Sequence, residues 1–309
     1  MNVTTADHQI TNPLAGRRPL IMGVINVTPD SFSDGGRFGR GPEFDHSAAI
    51  AHAMALHQQG AAIVDVGGEA SSFHRRGIAP VDADQQLQRV LPVISGIHAA
   101  GAAHRPAISV DTRLAEVARA ALQAGADMIN DISAGETDPE ILRVAAAFGC
   151  PIVLMHMEVE TPDRPPENHP DICAHAFGYL ARRAAAAIDA GLLPENIILD
   201  PGIGFGKSDA DNWKLLMNID RLTSQRFPVL LGVSRKRLLA KLAVEGEASR
   251  SGGPAAWHNQ DLATACITML AVQRGVRLHR VHQVSMAAIA LAALARMTAP
   301  PDNHAACPA

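Results

Sequence analysis

Residues 20–36 read LIMGVINVTPDSFSDGG. The first six positions set Leu20, Ile21, Met22, Val24 and Ile25 around a single glycine, the apolar run of a strand buried on both faces. The run stops at Asn26, and the loop behind it carries Asp30, Ser31, Phe32, Ser33 and Asp34 up to the Gly35-Gly36 pair without one cation. Polar groups gathered just past the end of a buried strand point to a site.

The same pattern repeats outward along the chain. Apolar runs alternating with 3.6-period segments predict strands at 20–26, 62–68, 107–111, 127–132, 151–156, 196–200, 228–233 and 278–283. Between them, Leu114, Val117, Ala118, Ala121 and Leu122 form a helical stripe closed by Gly125, and Asp138-Pro139-Glu140 opens a helix that ends at Gly149. Eight strand-helix units predict an α/β fold, a single-domain TIM (β/α)8 barrel. A doubly wound open sheet has usually about five or six strands and gives no reason for eight. The barrel spans 19–297, after a flexible N-terminal segment at 1–18 and before a tail at 298–309 that reads as disordered.

Each predicted strand ends in a polar residue: Asn26, Asp65 with Glu69, Asp111, Asn130 with Asp131, His156, Asp200, Ser234, and Arg280 with His282. Strand ends are often polar because they cap the next helix, and that accounts for Asp111-Thr112 or Ser234 singly. It accounts poorly for eight in succession. In a TIM barrel the C-terminal strand ends form the active-site face.

Several constellations carry chemistry. In LHRVHQV, at 278–284, the period of two sets Arg280 and His282 on one face, a pair of donors suited to an anion; a neighbouring carboxylate satisfying the arginine is the alternative. In GVSRKR, Lys236 enters a helix at the end its dipole makes unfavourable for cations, so local electrostatics does not explain it. Its head can reach a carbonyl or ring nitrogen, while Arg237 and Lys241 read as solvated charges. LDPGIGFGKS ends like a phosphate-binding P-loop, but Pro201 occupies the first required glycine, so the turn is a glycine-rich approach to a ligand with Phe205 as a lid. Asp111, Asn130 and Asp200 are acceptors converging from three strands, suited to a flat ligand edge rich in N–H groups; pairing with Lys236 or Arg280 is compatible with that.

Composition removes other classes. At 309 residues and 47% hydrophobic content the chain can fill one large barrel. A net charge of -4 and 4% aromatic residues leave neither the basic field nor the stacking platforms of a nucleic-acid binder. The N-terminus lacks signal-peptide order, and the apolar runs near 262–272 and 286–295 are short of a membrane span, so a soluble cytoplasmic protein is expected. Cys150, Cys173, Cys266 and Cys307 have neither disulfide nor zinc spacing, and His52 with His57, and His279 with His282, lack the company of a zinc site.

NVTPDSFSDGG at 26–36, DVGGE at 65–69, SVDT at 109–112, NDIS at 130–133, LMHM at 154–157, LDPGIGFGK at 199–207, GVSRK at 232–236 and RVH at 280–282 resemble, in order, the motifs of dihydropteroate synthases. The resemblance implies condensation of 6-hydroxymethyl-7,8-dihydropterin diphosphate with p-aminobenzoate, with Mg2+ required. It implies that Asp111, Asn130, Asp200, Lys236 and Gly232 hold the pterin, with Met155 and Phe205 lining its pocket. Asn26 is implied to bind the metal and diphosphate, with Arg280, His282 and Ser71 as further diphosphate contacts. Ser234, Phe32, Phe205 and Phe73 would border p-aminobenzoate. Lys236, Arg280, Asp30 and Asp34 would be catalytic, the last two in a loop that folds over the site with the loop after Glu69. The resemblance also implies a homodimer, for which Ile289, Leu291 and Leu294 offer an apolar helix face.

The loop after Glu69 departs from the family. It reads ASSFHRRGIAPV where members continue Ser-Thr-Arg-Pro-Gly, so Ser71 takes the threonine's place and Arg75 or Arg76 that of the loop arginine. A longer loop with Phe73 suggests a reshaped p-aminobenzoate pocket that discriminates against sulfonamides, leaving them weak inhibitors. Two rivals stand beside the synthase reading. A folate-dependent methyltransferase barrel has no use for Arg280, His282 and Ser234-Arg235-Lys236 as a set, and a non-catalytic pterin-binding paralogue would tolerate the altered loop.

Overall fold

The structure, a computed structural model, describes residues 13, 14, 16, 18–28, 39–40, 43–69, 80–158, 168–243 and 254–298. Eight parallel strands run through it: β1 Leu20–Asn26, β2 Ile63–Gly67, β3 Ala107–Asp111, β4 Met128–Asp131, β5 Ile152–Met155, β6 Ile197–Asp200, β7 Leu230–Leu231 and β8 Leu278–Val281. Their order is β6-β5-β4-β3-β2-β1-β8-β7. A parallel bridge from Leu199 to Val229 joins the two ends, and Leu199 N–H donates to the Pro228 carbonyl at 2.9 Å. The sheet is therefore a closed (β/α)8 barrel.

β7 is shorter than the span 228–233 that its apolar run predicts. Proline has no N–H to give to a ladder, so Pro228 contributes only its carbonyl and regular pairing begins two residues later. A small antiparallel ribbon, Gly39–Arg40 against Glu43–Phe44, is an addition within the first loop.

Helices cover the outside: α1 His46–Gln58, α2 Ala83–His98, α3 Ala115–Gln123, α4 Glu140–Phe148, α5 Ile172–Asp189, α6 Asp209–Met217, α7 Ile219–Thr223, α8 Arg237–Ala243, α9 Pro254–Gln273 and α10 Val284–Thr298. Their starts are set by side-chain caps. Asp45, Asp82, Asp171 and Ser208 accept from the N–H three residues on, at the heads of α1, α2, α5 and α6. α4 ends at Gly149, whose φ of 64° supplies the left-handed cap that glycine takes without strain.

Alternation along the strands divides the core into two layers. Outward residues such as Ile21, Ile25, Val64, Val66, Ile108, Val110, Ile129, Leu154 and Leu199 are buried against the helices. Inward residues Met22, Ile63, Met128, Val153, Ile198, Leu230 and Leu278 form a separate apolar plug. They lie toward the N-terminal part of their strands, so every residue two or four positions later on the same face is carried to the opposite mouth. The plug is what forces the polar inward residues together at one end.

The apolar face expected on α10 is only partly there. Ile289 is 71% exposed, but Leu294 is buried and Leu291 packs against the core. Three positions spaced at two and three cannot all lie on one side of a helix, and the core claims two of them. Among the described residues no helix is long and apolar enough to cross a membrane.

Candidate active site

The strand alternation that buries Met22 and Ile63 carries Asn26, Asp65, Asp111, Asn130, Met155, Asp200, Gly232 and Arg280 to the C-terminal mouth. Asp65, on β2, is the hub of this group. One of its oxygens, Oδ2, accepts from Asn130 Nδ2 at 2.8 Å and from Arg280 Nε at 2.7 Å. Its other oxygen is buried and accepts no hydrogen bond among the described residues. Asp65 reads in the sequence as one strand-end polar residue among several, and its central place emerges only when three strands close around it.

Arg280 reaches further, donating through Nη2 to Asp111 at 3.0 Å. Gly67 faces Asp111 so closely that a Cβ there would lie 3.4 Å from the aspartate side chain, and Gly232 likewise has no side chain to set beside Arg280. Burial raises the Asp111 carboxyl to about 7, with repulsion from Asp65 adding to the rise and Arg280 opposing it. The carboxylate pairing foreseen for Arg280 is therefore real, and three of its five N–H donors remain for another partner.

Asp200 ends β6 and enters a tight turn. Its Oδ1 accepts from Gly202 N–H at 2.7 Å, and burial raises its pKa to about 6 against the pull of that bond and of Lys236 and Lys207. Lys207 is buried beneath the turn and donates to the carbonyls of Gly202 at 2.8 Å, His156 at 2.9 Å and Phe205 at 3.2 Å. Gly202 takes φ 65° and a Cβ there would lie 1.9 Å from the His156 carbonyl, so this close approach requires glycine. The Gly206-Lys207-Ser208 triplet that imitates a P-loop is in fact a lysine bracing its own turn, a role the sequence reading did not find.

Phe205, 8% exposed, packs with Ile132 and Met155, and Met157 closes the cluster. Lys236 Nζ sits 3.8 Å from the centre of the Phe205 ring. Lys236 follows Arg235, a non-glycine residue held at φ 55°. Arg235 is fixed there by two bonds to Asp261, at 3.0 and 2.9 Å, and by stacking over Trp257 at 4.9 Å. α8 begins at Arg237, one residue after the expected start, and Arg237 and Lys241 lie exposed beside Asp209 as solvated charges.

Ser234 and His282 form a pair across β7 and β8. Ser234 Oγ accepts from His282 N–H at 3.1 Å and lies 2.9 Å from His282 Nδ1. Burial, reinforced by Arg235, Arg280 and Lys236, holds the His282 pKa well below its usual value. The histidine that reads as potentially cationic in the sequence is therefore neutral among three cations. The donor in the Ser234 Oγ–His282 Nδ1 bond depends on the imidazole tautomer, and the tautomer protonated at Nε2 takes the serine proton at Nδ1 and presents Nε2–H as a donor.

Glu69 anchors the far side of the second loop, accepting from Val81 N–H at 2.7 Å and from Arg113 at 2.8 Å. Asp131 is occupied in capping, accepting from the Ser133 and Gly135 amides. Asp30, Phe32, Asp34, Ser71, Phe73, Arg75 and Arg76, expected at the site, lie outside the described residues, as do most of the N-terminal segment and all of the tail but Thr298.

A family model described as pterin binding enzyme matches residues 22–282. The chain is 39% identical over 264 residues to the dihydropteroate synthase of Mycobacterium leprae, covering 85% of this chain and 87% of that protein. The chain belongs to the dihydropteroate synthase family. A second family member, from Streptococcus pyogenes serotype M6, is 40% identical over 262 residues, covering 85% of this chain and 89% of its own length. The solved synthase of Xanthomonas albilineans with 4-aminobenzoic acid superposes with a TM-score of 0.77 at 39% identity, covering 94% of this chain and 100% of that one. The same synthase in complex with 7,8-dihydropteroate gives 0.76 at 37% identity, covering 94% and 99%.

Proposed function

We propose that this chain joins 6-hydroxymethyl-7,8-dihydropterin diphosphate to p-aminobenzoate, releasing diphosphate and 7,8-dihydropteroate. The observation that carries this is the division of the barrel mouth into acceptors, Asp111, Asn130 and Asp200, and donors, Arg280, His282 and Lys236, on the scaffold of a dihydropteroate synthase. A 2-amino-4-oxo pterin edge presents N–H donors to the acceptors, and Lys236 donates to a ring nitrogen or carbonyl. Met155, Phe205 and Gly232 line the flat space between.

Breaking the C–O bond to diphosphate develops positive charge on the pterin methylene and negative charge on the leaving group. The buried carboxylates oppose the first charge, while the remaining N–H groups of Arg280 and His282 Nε2–H meet the second. All are held in place before reaction, so stabilising these charges needs little reorganisation. An SN1-like course follows, and the arylamine, neutral at pH 7, attacks the carbocation without a strong base. Ser234 and Phe205 border the p-aminobenzoate site.

The donor set fits Mg2+: the Asn26 amide oxygen and the unpartnered buried oxygen of Asp65 are hard ligands of the kind that share such an ion with substrate phosphates. When bound, Mg2+ would neutralise charge on the departing diphosphate. The chain also acts as a homodimer, with the exposed Met217, Leu270 and Ile289 as apolar contacts, and the altered loop after Glu69 makes sulfonamides weak inhibitors.

Diphosphate release on mixing both substrates with Mg2+ tests the reaction. Release that requires p-aminobenzoate supports the synthase. Tight pterin binding without release would make the chain a binding paralogue, and transfer of a methyl group from a methylated folate would make it a methyltransferase.

A further inference from the structure

Three histidines surround one carboxylate oxygen just beyond β5. Glu158 Oε1 lies 2.7 Å from His175 Nε2, 3.2 Å from His156 Nε2 and 3.8 Å from His169 Nε2. A ligating atom from each of His156, Glu158 and His175 lies within 4.8 Å of the other two. The rings are packed around this point: His169 stacks on His175 with centroids 4.6 Å apart, and His156 meets His175 edge-on at 5.3 Å. One hydrogen bond, from His175 to Glu158, explains one of the three approaches. It does not explain why two further imidazole nitrogens converge on the same oxygen.

The spacing does have an explanation. Ligands at about 2.0–2.2 Å from a tetrahedral zinc ion are separated from one another by roughly 3.3–3.5 Å, and the three separations here bracket that length. The chemistry of the set is equally selective, because two or three imidazoles and a single carboxylate suit Zn2+ and its first-row neighbours and suit Mg2+ poorly. The backbone that carries the ligands is already fixed. His156 N–H donates to the Asp200 carbonyl at 3.0 Å, the His156 carbonyl accepts from Lys207 at 2.9 Å, and Glu158 N–H donates to Phe205 at 3.4 Å. Tyr179 packs behind His156 with ring centroids 5.1 Å apart.

We propose that His156, Glu158 and His175 form a binding site for a zinc-type transition-metal dication, with His169 as an additional donor. The site is separate from the Mg2+ ligands at the barrel mouth and does not depend on the reaction proposed for it. Its ligands come from just past the end of β5 and from the first turn of α5, with His169 in the segment that leads into that helix, so a bound ion ties α5 to the same backbone that holds the Asp200 turn. The sequence conceals it because His156 and Glu158 are followed by His169 and His175 only after a ten-residue stretch that no short zinc signature spans.

The test is a titration of the chelator-treated full chain with Co2+ in millimolar Mg2+, read by visible absorption. One equivalent of Co2+ is expected to give bands of tetrahedral intensity that Zn2+ displaces and Mg2+ does not. Glu158→Gln and His175→Ala each weaken Co2+ binding by roughly tenfold or more. His175 is half exposed, so its replacement leaves the fold intact and the loss is read on folded protein. Asn26→Ala binds Co2+ as the parent does. Absence of the bands, unchanged affinity in both ligand variants, or loss of binding in Asn26→Ala would each overturn the site.

Discussion

Arg280 and Asp65 meet at 2.7 Å in the barrel mouth, and the carboxylate side chain of that pair has no solvent exposure. The arginine is thus a structural counter-charge for Asp65 and Asp111 and, in the proposed reaction, the donor left for the leaving diphosphate. Arg280→Ala is expected to lower kcat/KM by on the order of 3 kcal/mol, the loss of one preorganised donor. It also strands two carboxylates, and urea unfolding is expected to record a loss of about 3 kcal/mol. Arg280→Lys keeps the charge without the fork and falls between parent and alanine on both measurements. Parent-like kcat/KM in the alanine variant would remove Arg280 from the reaction.

Asp111 and Asp200 set a pH dependence of known sign. Both are raised, to about 7 and about 6, chiefly by burial, so the folded chain holds their protons more tightly than the unfolded chain. Stability in the absence of ligand therefore falls as pH rises from about 4 to 7, while kcat/KM rises over about 6 to 7 as the acceptors ionise. Asp111→Asn, permanently neutral, is expected to unfold at higher urea than the parent at pH 8, by on the order of 1–2 kcal/mol, and to lose that advantage at pH 4. It also loses activity. An advantage independent of pH would mean that the Asp111 proton is not what is being read.

Much of this architecture is visible in the amino-acid order, because a strand buried on both faces and a polar strand end leave local signatures. β1, β3 and the paired stops at Asp111 and Asp200 needed only the run of apolar residues and its end. What is not local was not visible. Asp65 became the hub because β4 and β8 bring Asn130 and Arg280 to it across the barrel, and His282 is neutral because it is buried, with Arg235 and Lys236 from the neighbouring strand end adding to Arg280 on its own strand. Pro228 shortens β7 through a missing donor, and Leu291 and Leu294 turned inward because α10 lies on the core by one face.

Lys207 shows the same limit from another side. Its three donors are spent on three carbonyls, one of them on β5's continuation at His156. Lys207→Met fills the space but takes from the His156 carbonyl its lysine donor and leaves the Gly202 and Phe205 carbonyls only the Phe205 and Glu158 amides, and a buried acceptor left unmade costs about 1–3 kcal/mol. A loss of roughly 3 kcal/mol in unfolding is expected, with KM for the pterin substrate rising more than kcat falls, because the turn carrying Asp200 and Phe205 loosens. A variant as stable as the parent would show that the glycines alone hold the turn.

Arg235 is the remaining residue whose geometry demands an explanation. A non-glycine side chain at φ 55° costs on the order of 1–2 kcal/mol, and here the ion pair with Asp261 and the Trp257 ring offset it. The result is a fixed turn that delivers Lys236 over Phe205. Arg235→Ala keeps the strained φ and loses the anchor, so kcat/KM is expected to fall by roughly tenfold through Lys236, with pterin KM most affected. Arg235→Gly loses the same anchor yet adopts that φ without strain, and is expected to be the more stable of the two by about 1 kcal/mol in urea unfolding. Equal stability of the alanine and glycine variants would show that the backbone at 235 relaxes once its anchor is gone.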